Sequence, residues 1–209
     1  MKKRHIISII SFLFFLIITI LVLINKVNSL DESIYHFIMN YRSKVLDNFF
    51  VIITEFANPI PVIIIFTMLV IALKRKEEII LSVNLLTTLT TNQLLKRIIM
   101  RPRPDHLRIV KESGFSYPSG HAMMSLCLYG TLIYLIIKRM KNKKIKILLI
   151  SLLSLLILLI GFSRIYVGVH YPTDVIGGYF LTIAIVTEMI TLTNNRLRGK
   201  KKHDKDGNK

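Results

Sequence analysis

Cysteine is almost missing from this chain. Cys127 stands alone, which excludes an intrachain disulfide, and its apolar surroundings mark it as a small packing residue. No run of His, Cys, Asp and Glu has metal-ligand spacing, so no metal and no other cofactor is expected. No internal repeat is visible, which sets aside a solenoid. Acidic residues are scarce: 12 Asp and Glu face 29 Lys and Arg, a net charge of +17. Such a balance invites a nucleic-acid reading. The placement of the cations argues against it, as follows from the long apolar runs.

Of the 209 residues, 52% are hydrophobic, and the mean hydropathy is +0.53. A soluble domain does not carry so many long apolar runs. Crossing a bilayer takes about 20 mostly apolar residues, with shorter runs tolerated. Six runs qualify: 6–24, 56–73, 79–95, 122–137, 147–162 and 175–192. The first follows the basic segment Met1-Lys2-Lys3-Arg4. It is longer than a signal-peptide core and lacks a small-x-small cleavage site, so it reads as an uncleaved anchor. Cations cluster as three at the N-terminus, three at Lys74–Lys76, six over Lys138–Lys146 and seven from Arg196, nineteen of the 29. All fall on one predicted side. The positive-inside rule makes that side cytoplasmic and puts both termini there. The basic charge is therefore topology, helped by anionic inner-leaflet lipids, and nucleic acid is not an expected partner. The expectation is an all-α, polytopic membrane bundle of about six spans. Residues 1–195 form one membrane-embedded domain, and 196–209 form a basic, disordered cytoplasmic tail. Nothing in the sequence assigns an oligomeric state.

Three segments then face outward: 25–55, 96–120 and 163–173. The first contains Ser29-x-x-Glu32, a capping-box pattern. Behind it Ile34, Phe37, Ile38, Tyr41, Val45, Leu46, Phe49 and Phe50 recur at helical spacing. This predicts an amphipathic helix, either lying on the outer interface or packing on the bundle. In its sharper form it guides a lipid tail. The third run ends in Thr87, Thr88, Thr90, Thr91, Asn92 and Gln93, which is too polar to face lipid and should turn inward.

The chemistry lies in three ordered motifs: Lys96-x6-Arg103-Pro104, Pro118-Ser119-Gly120-His121, and Ser163-Arg164-x5-His170-x3-Asp174. All sit at the outer ends of spans three to six, so one site can gather them. Guanidinium forks, a lysine ammonium and backbone N–H groups are what a phosphate needs. Lys96, Arg103 and Arg164 supply the cations. Each alone reads first as a snorkelling residue at a span end; Arg97 and Arg101 are left in that category. Ser119 can cap the fourth span, whose N-terminal N–H groups suit an anion. His121 stands at that positive end, where a bound anion favours its protonated form. Asp174 can take a hydrogen bond from His170 and free the other ring nitrogen for attack, or merely cap the sixth span. His5, His36, His106 and His203 have no such neighbours. Asp105 and Glu112 share the outer loop and receive no role.

Taken together, the motifs resemble those of the type-2 phosphatidic acid phosphatase superfamily, which includes lipid phosphate phosphatases and vanadium haloperoxidases. The resemblance covers about 96–178, and all three motifs match without substitution; Tyr117 stands where Phe is often found. It implies that Lys96, Arg103, Ser119, Gly120 and Arg164 bind phosphate. It further implies that His170 is the nucleophile, His121 the acid for the leaving group and Asp174 the orienting carboxylate. Metal independence and a helical-bundle core follow from the same resemblance, while the charge bias puts the site on the extracytoplasmic face. The expected activity is hydrolysis of a membrane lipid phosphate or diphosphate, with undecaprenyl diphosphate slightly ahead of phosphatidylglycerophosphate and phosphatidate. Competing readings are a lipid A or lipid-linked glycan dephosphorylase or phosphotransferase, and a non-catalytic lipid-binding membrane protein. Six apolar runs argue against a haloperoxidase, which is expected to be soluble.

Overall fold

The structure, a computed structural model, describes residues 2–72, 75–105 and 108–206. The readings made for Lys74 and His106 lie outside that set. Among the described residues every regular element is an α-helix. They are α1 (Lys2–Leu23), α2 (Asn28–Asn40), α3 (Lys44–Glu55), α4 (Pro59–Ala72), α5 (Arg75–Ile99), α6 (Gly120–Arg139), α7 (Lys143–Tyr166) and α8 (Pro172–Asp206).

α8 is the hub, lying against α1, α2, α5, α6 and α7, while α6 lies against α5, α7 and α8. The main core forms where these meet: Ile80, Leu81 and Leu85 of α5, Cys127 and Leu128 of α6, Ile157 and Ile160 of α7, and Val186 and Ile190 of α8. The outer faces are the reverse of a soluble protein's. Ile9, Ile17 and Ile20 of α1, and Leu148, Leu155 and Leu158 of α7, are exposed. Contiguous apolar surface of that extent belongs against lipid.

The span count differs from the sequence reading. α1, α6, α7 and α8 each contain a stretch long and apolar enough to cross a membrane. α3 and α4, bent by 42° at their junction, make a fifth if they form one broken span. The missing sixth is α5. At 25 residues it is long enough, but its polar residues dilute its hydropathy. Those residues turn inward. Asn84, Thr88 and Asn92 are buried, and Asn84 Nδ2 donates to Thr131 Oγ1 of α6 at 3.1 Å. Leu86, Leu94 and Ile98 stay outside.

The amphipathic outer helix is in fact two. α2 ends at Tyr41, and α3 begins behind Ser43, whose extended backbone (φ −149°, ψ 153°) and hydroxyl, accepting from Leu46 N, form an N-cap. The capping box is not formed: α2 starts behind Val27 with no side-chain cap. Ser29 is already helical, and Glu32 instead accepts from Tyr171 OH at 2.6 Å. α2 packs on the bundle, burying Asp31, Tyr35 and Met39 against α7 and α8. At the other end, the basic segment predicted to be disordered from 196 continues the α8 helix as far as Asp206. Lys and Arg are good helix formers, and nothing at 196 breaks the helix.

Candidate functional site

Four helix ends converge on one pole of the bundle. They are the C-termini of α5 and α7 and the N-termini of α6 and α8, carrying Lys96, Arg164, Ser119–His121 and Asp174. The loop between α5 and α6 crosses this pole and is stitched down by Arg103. Its Nε donates to Gly114 O at 3.0 Å, its NH2 to Ser113 O at 3.1 Å and its NH1 to Val169 O at 2.9 Å. The turn that follows α7 passes through Gly168, whose φ of +81° is the left-handed conformation that favours glycine. That turn brings His170 N back to Arg164 O at 3.2 Å.

The histidine's tautomer follows from its partners. Nε2 lies 3.1 Å from Arg103 NH1. A guanidinium only donates, so Nε2 must accept and carries no proton. The proton is therefore on Nδ1, which faces Asp174 Oδ2 at 3.3 Å and Ser116 Oγ at 3.2 Å. Ser116 Oγ in turn donates to Asp174 Oδ2, and so does Tyr171 N at 2.8 Å. His170 and Asp174 are fully buried. Burial, followed by the charges of Arg103, Arg164 and Lys96, holds the imidazole well below its usual range, so it is neutral at neutral pH.

The other cations lie close by. Lys96 Nζ donates to Phe115 O at 2.8 Å. Burial, then the neighbouring Arg103, pulls its ammonium down to about 8. Arg164 NH1 donates to Thr54 Oγ1 at 2.6 Å and NH2 to Glu112 Oε1 at 2.5 Å. Its Nε is buried and makes no hydrogen bond among the described residues. Glu112 also faces Arg103 NH2 at 3.7 Å, so one carboxylate bridges the two guanidiniums.

On the far side, Ser119 caps α6 through Ala122 N at 3.5 Å, and its own N–H donates to Asp174 O at 3.0 Å. Gly120 sits close to α5: a Cβ there would meet Asn92 Oδ1 at 3.2 Å, a tight contact. Asn92 Nδ2 meanwhile donates to Pro118 O at 3.0 Å. His121 Nε2 lies 2.6 Å from Asn58 Oδ1, and Asn58 Nδ2 donates to Glu55 Oε2 at 2.7 Å. The second bond fixes the amide's orientation, so His121 Nε2 carries a proton.

All eight residues singled out by sequence thus lie at this pole. Arg103, His170 and Asp174 form one connected group, Arg164 joins Arg103 through Glu112, and His121 stands on a separate support. Sequence reasoning missed Ser116, Glu112, Thr54, Asn58, Asp31 and Arg101. Arg101, read as a snorkelling residue, is 8% exposed. Its NH1 donates to Asp174 Oδ1 and its NH2 to Asp31 Oδ2, both at 2.7 Å. Arg97 is exposed.

Helical spans with lipid-type outer faces and a polar, cation-lined pole define a multi-pass membrane protein. The sequence model of the PAP2 superfamily matches residues 77–198, more than half of the chain, and the chain belongs to that superfamily. It is similar to phosphatidylglycerophosphatase B of Bacillus subtilis, at 40% identity over 98 residues. That match takes in 45% of this chain and about half (47%) of the relative. Undecaprenyl-diphosphatase BcrC of the same organism is 30% identical over 70% of this chain and 75% of its own. Among solved structures, the transmembrane PAP2-type phosphatidylglycerolphosphate phosphatase from Bacillus subtilis superposes with a TM-score of 0.81. It is 30% identical, with 90% of this chain and 96% of that one covered. LpxE of Aquifex aeolicus shares the fold, with a TM-score of 0.66 at 24% identity over 78% of this chain and 95% of that one.

Proposed function

We propose that this protein removes phosphate from a membrane lipid phosphate or diphosphate through a phosphohistidine at His170. The observation that carries the reading is the unprotonated Nε2 of His170. It is set among Arg103, Lys96 and Arg164, while Asp174 holds the proton on the opposite nitrogen. Phosphoryl transfer asks mainly for positioning and for cations on the equatorial oxygens. The unpartnered Arg164 Nε is a donor available for one such oxygen. Ser119 and the Gly120 N–H complete the cradle at the start of α6.

In the first step His170 Nε2 attacks the terminal phosphorus, whose bond to the leaving oxygen breaks (the lipid's ester oxygen in a monophosphate, the bridging oxygen of the departing lipid monophosphate in a diphosphate), and His121 gives that oxygen a proton. In the second, water attacks the phosphohistidine and loses a proton to His121, and the P–N bond breaks to release inorganic phosphate. Asp174 stabilises the positive imidazole ring in between. Asn58 steadies His121 for both transfers.

The lipid class rests on the apolar spans and on a groove of about 370 Å³ between α2, α3 and α7. Phe37, Leu46, Phe50 and Phe162 are among its lining residues. Phe50 and Tyr166 of this region pack in one cluster with Val167 and Val169, next to His170. Undecaprenyl diphosphate leads, with phosphatidylglycerophosphate and phosphatidate behind it. The site faces the extracytoplasmic side, because the basic α6–α7 turn lies at the other pole.

The test is phosphate release by purified protein in detergent with EDTA, on those three lipids and lipid A, beside His170→Ala. Wild type is expected to act without added metal, and the variant to lose at least about a thousandfold in turnover. Undiminished release by His170→Ala would remove the nucleophile from this account.

A further inference from the structure

Behind the carboxylate that faces His170 lies a second layer of charge. Asp174 divides its oxygens: Oδ2 serves His170, Ser116 and Tyr171 N, while Oδ1 takes Arg101 NH1 at 2.7 Å. Arg101 NH2 reaches on to Asp31 Oδ2 at 2.7 Å. Asp31 then closes back on the start of α8, accepting from Thr173 N at 3.0 Å and from Thr173 Oγ1 at 2.5 Å. Thr173 Oγ1 itself accepts from Arg101 NH1 at 2.8 Å. The Tyr171 ring covers the guanidinium at 4.5 Å. The side chains of Asp31 and Asp174 are 0% exposed and that of Arg101 is 7% exposed.

The charge count is what makes this more than a staple. A single buried Asp–Arg pair would be neutral and would spend the carboxylate's charge on the arginine. Here two carboxylates share one guanidinium, leaving one negative charge beside His170. Burial disfavours the charge on Arg101, but Asp174 and Asp31 outweigh it and hold the guanidinium protonated. His170 becomes positive when it attacks phosphorus, so a retained negative charge stabilises the intermediate and the step leading to it. The bridge also fixes which Asp174 oxygen faces the ring.

We infer that Asp31 and Arg101 are positioning residues for catalysis. In this arrangement Arg101 orients Asp174, and Asp31 keeps Arg101 from neutralising it. The inference rests on the reading of His170 as nucleophile. Other charged or titratable groups around His170 are Lys96 from α5, Arg103 and Glu112 from the α5–α6 loop, His121 from α6 and Arg164 from α7. Neither substitution alters any of these side chains, and the two remove charges of opposite sign. Asp31→Asn removes a negative charge; His170 then holds a proton less readily, and the acid limb of kcat/KM moves to lower pH. Arg101→Gln removes a positive charge, and the limb moves to higher pH.

The experiment uses the full chain in detergent with undecaprenyl diphosphate and phosphatidylglycerophosphate. It compares wild type, His170→Ala, Asp31→Asn and Arg101→Gln for kcat, inhibition by inorganic phosphate and pH profile. Both positioning variants are expected to lose about ten- to a hundredfold in kcat. Their inhibition by phosphate should stay at the wild-type level and their acid limbs should separate in opposite directions. Wild-type kcat in either variant overturns the inference. So does joint loss of turnover and phosphate inhibition, or two limbs that move together or not at all, since a structural role alone would produce these. Turnover that survives in His170→Ala sinks the nucleophile reading, and this inference with it. A dead His170→Ala beside a wild-type-like Asp31→Asn sinks this inference alone.

Discussion

Lys96 is the cation of the site whose charge changes within an ordinary assay range. Its ammonium lies near 8 because burial and Arg103 both oppose the charge. The sign is direct. Below about 8 it is a cation and attracts phosphate; above, it is neutral and the attraction is lost. Inhibition by inorganic phosphate should therefore weaken as pH rises through that value. Lys96→Arg, which stays charged, should carry the inhibition to higher pH, as phosphate Ki measured across pH would show. Glu112 offers a second residue-scale prediction. Its carboxylate bridges Arg164 and Arg103 at the place where an anionic substrate must also meet them. Glu112→Gln removes that competitor, and phosphate Ki should fall by roughly tenfold, the value of one charge-assisted contact. An unchanged Ki would mean that Glu112 and phosphate occupy different places. That the eight motif residues would gather at one pole was legible, because the motifs fall at the ends of successive apolar runs at fixed spacing. Glu112 and Asp31 were not. Asp31 lies 142 positions from Thr173, the residue it binds, and only the fold makes them neighbours.

At the scale of elements, hydropathy marked α1, α6, α7 and α8 as spans, and the structure departs from the reading at α5 and at the outer helix. α5 was counted as a span because its apolar residues are numerous. Its polar end was expected to turn inward, and Asn84, Thr88 and Asn92 form such an inward stripe, which packs on α6 and reaches the Pro118–Gly120 turn. Periodicity cannot say which neighbour satisfies such a stripe, only that lipid cannot. The outer helix was read as one because its apolar spacing runs almost unbroken from Ile34 to Phe50. The break at 41–43 is set by a cap, with Ser43 accepting from Leu46 N at 3.3 Å, and a cap leaves little trace in an apolar period. That break matters for the site. It lets α2 bring Asp31 to α8 while α3 brings Thr54 to Arg164. The end of α3 and the start of α4 then present Asn58 to His121. The segment expected to lie on the interface or pack on the bundle does pack on it, and through Asp31 and Thr54 it supports Arg101 and Arg164.

For the whole molecule, the arrangement places cations for two purposes at two poles. Lys96, Arg101, Arg103 and Arg164 stand at the pole of the site, where each has a carboxylate, a carbonyl or a hydroxyl as partner. The turn between α6 and α7, at the opposite pole, carries basic residues exposed to solvent, including Lys141, Lys143 and Lys144. Only the second group is free to bias insertion, because the positive-inside rule concerns short loops at span ends. The site should then face away from the cytoplasm. Cys127 is buried in the core, and Cys127→Ala supplies a background in which single cysteines can be placed. Lys111→Cys, on the exposed part of the α5–α6 loop, should react with a membrane-impermeant maleimide added to intact cells. Lys141→Cys should react only after the membrane is opened. The reverse pattern would put the site on the cytoplasmic side. A lipid-carrier diphosphate exposed on the outer leaflet would then no longer lead the substrates, and a phospholipid phosphate made on the inner leaflet would take its place.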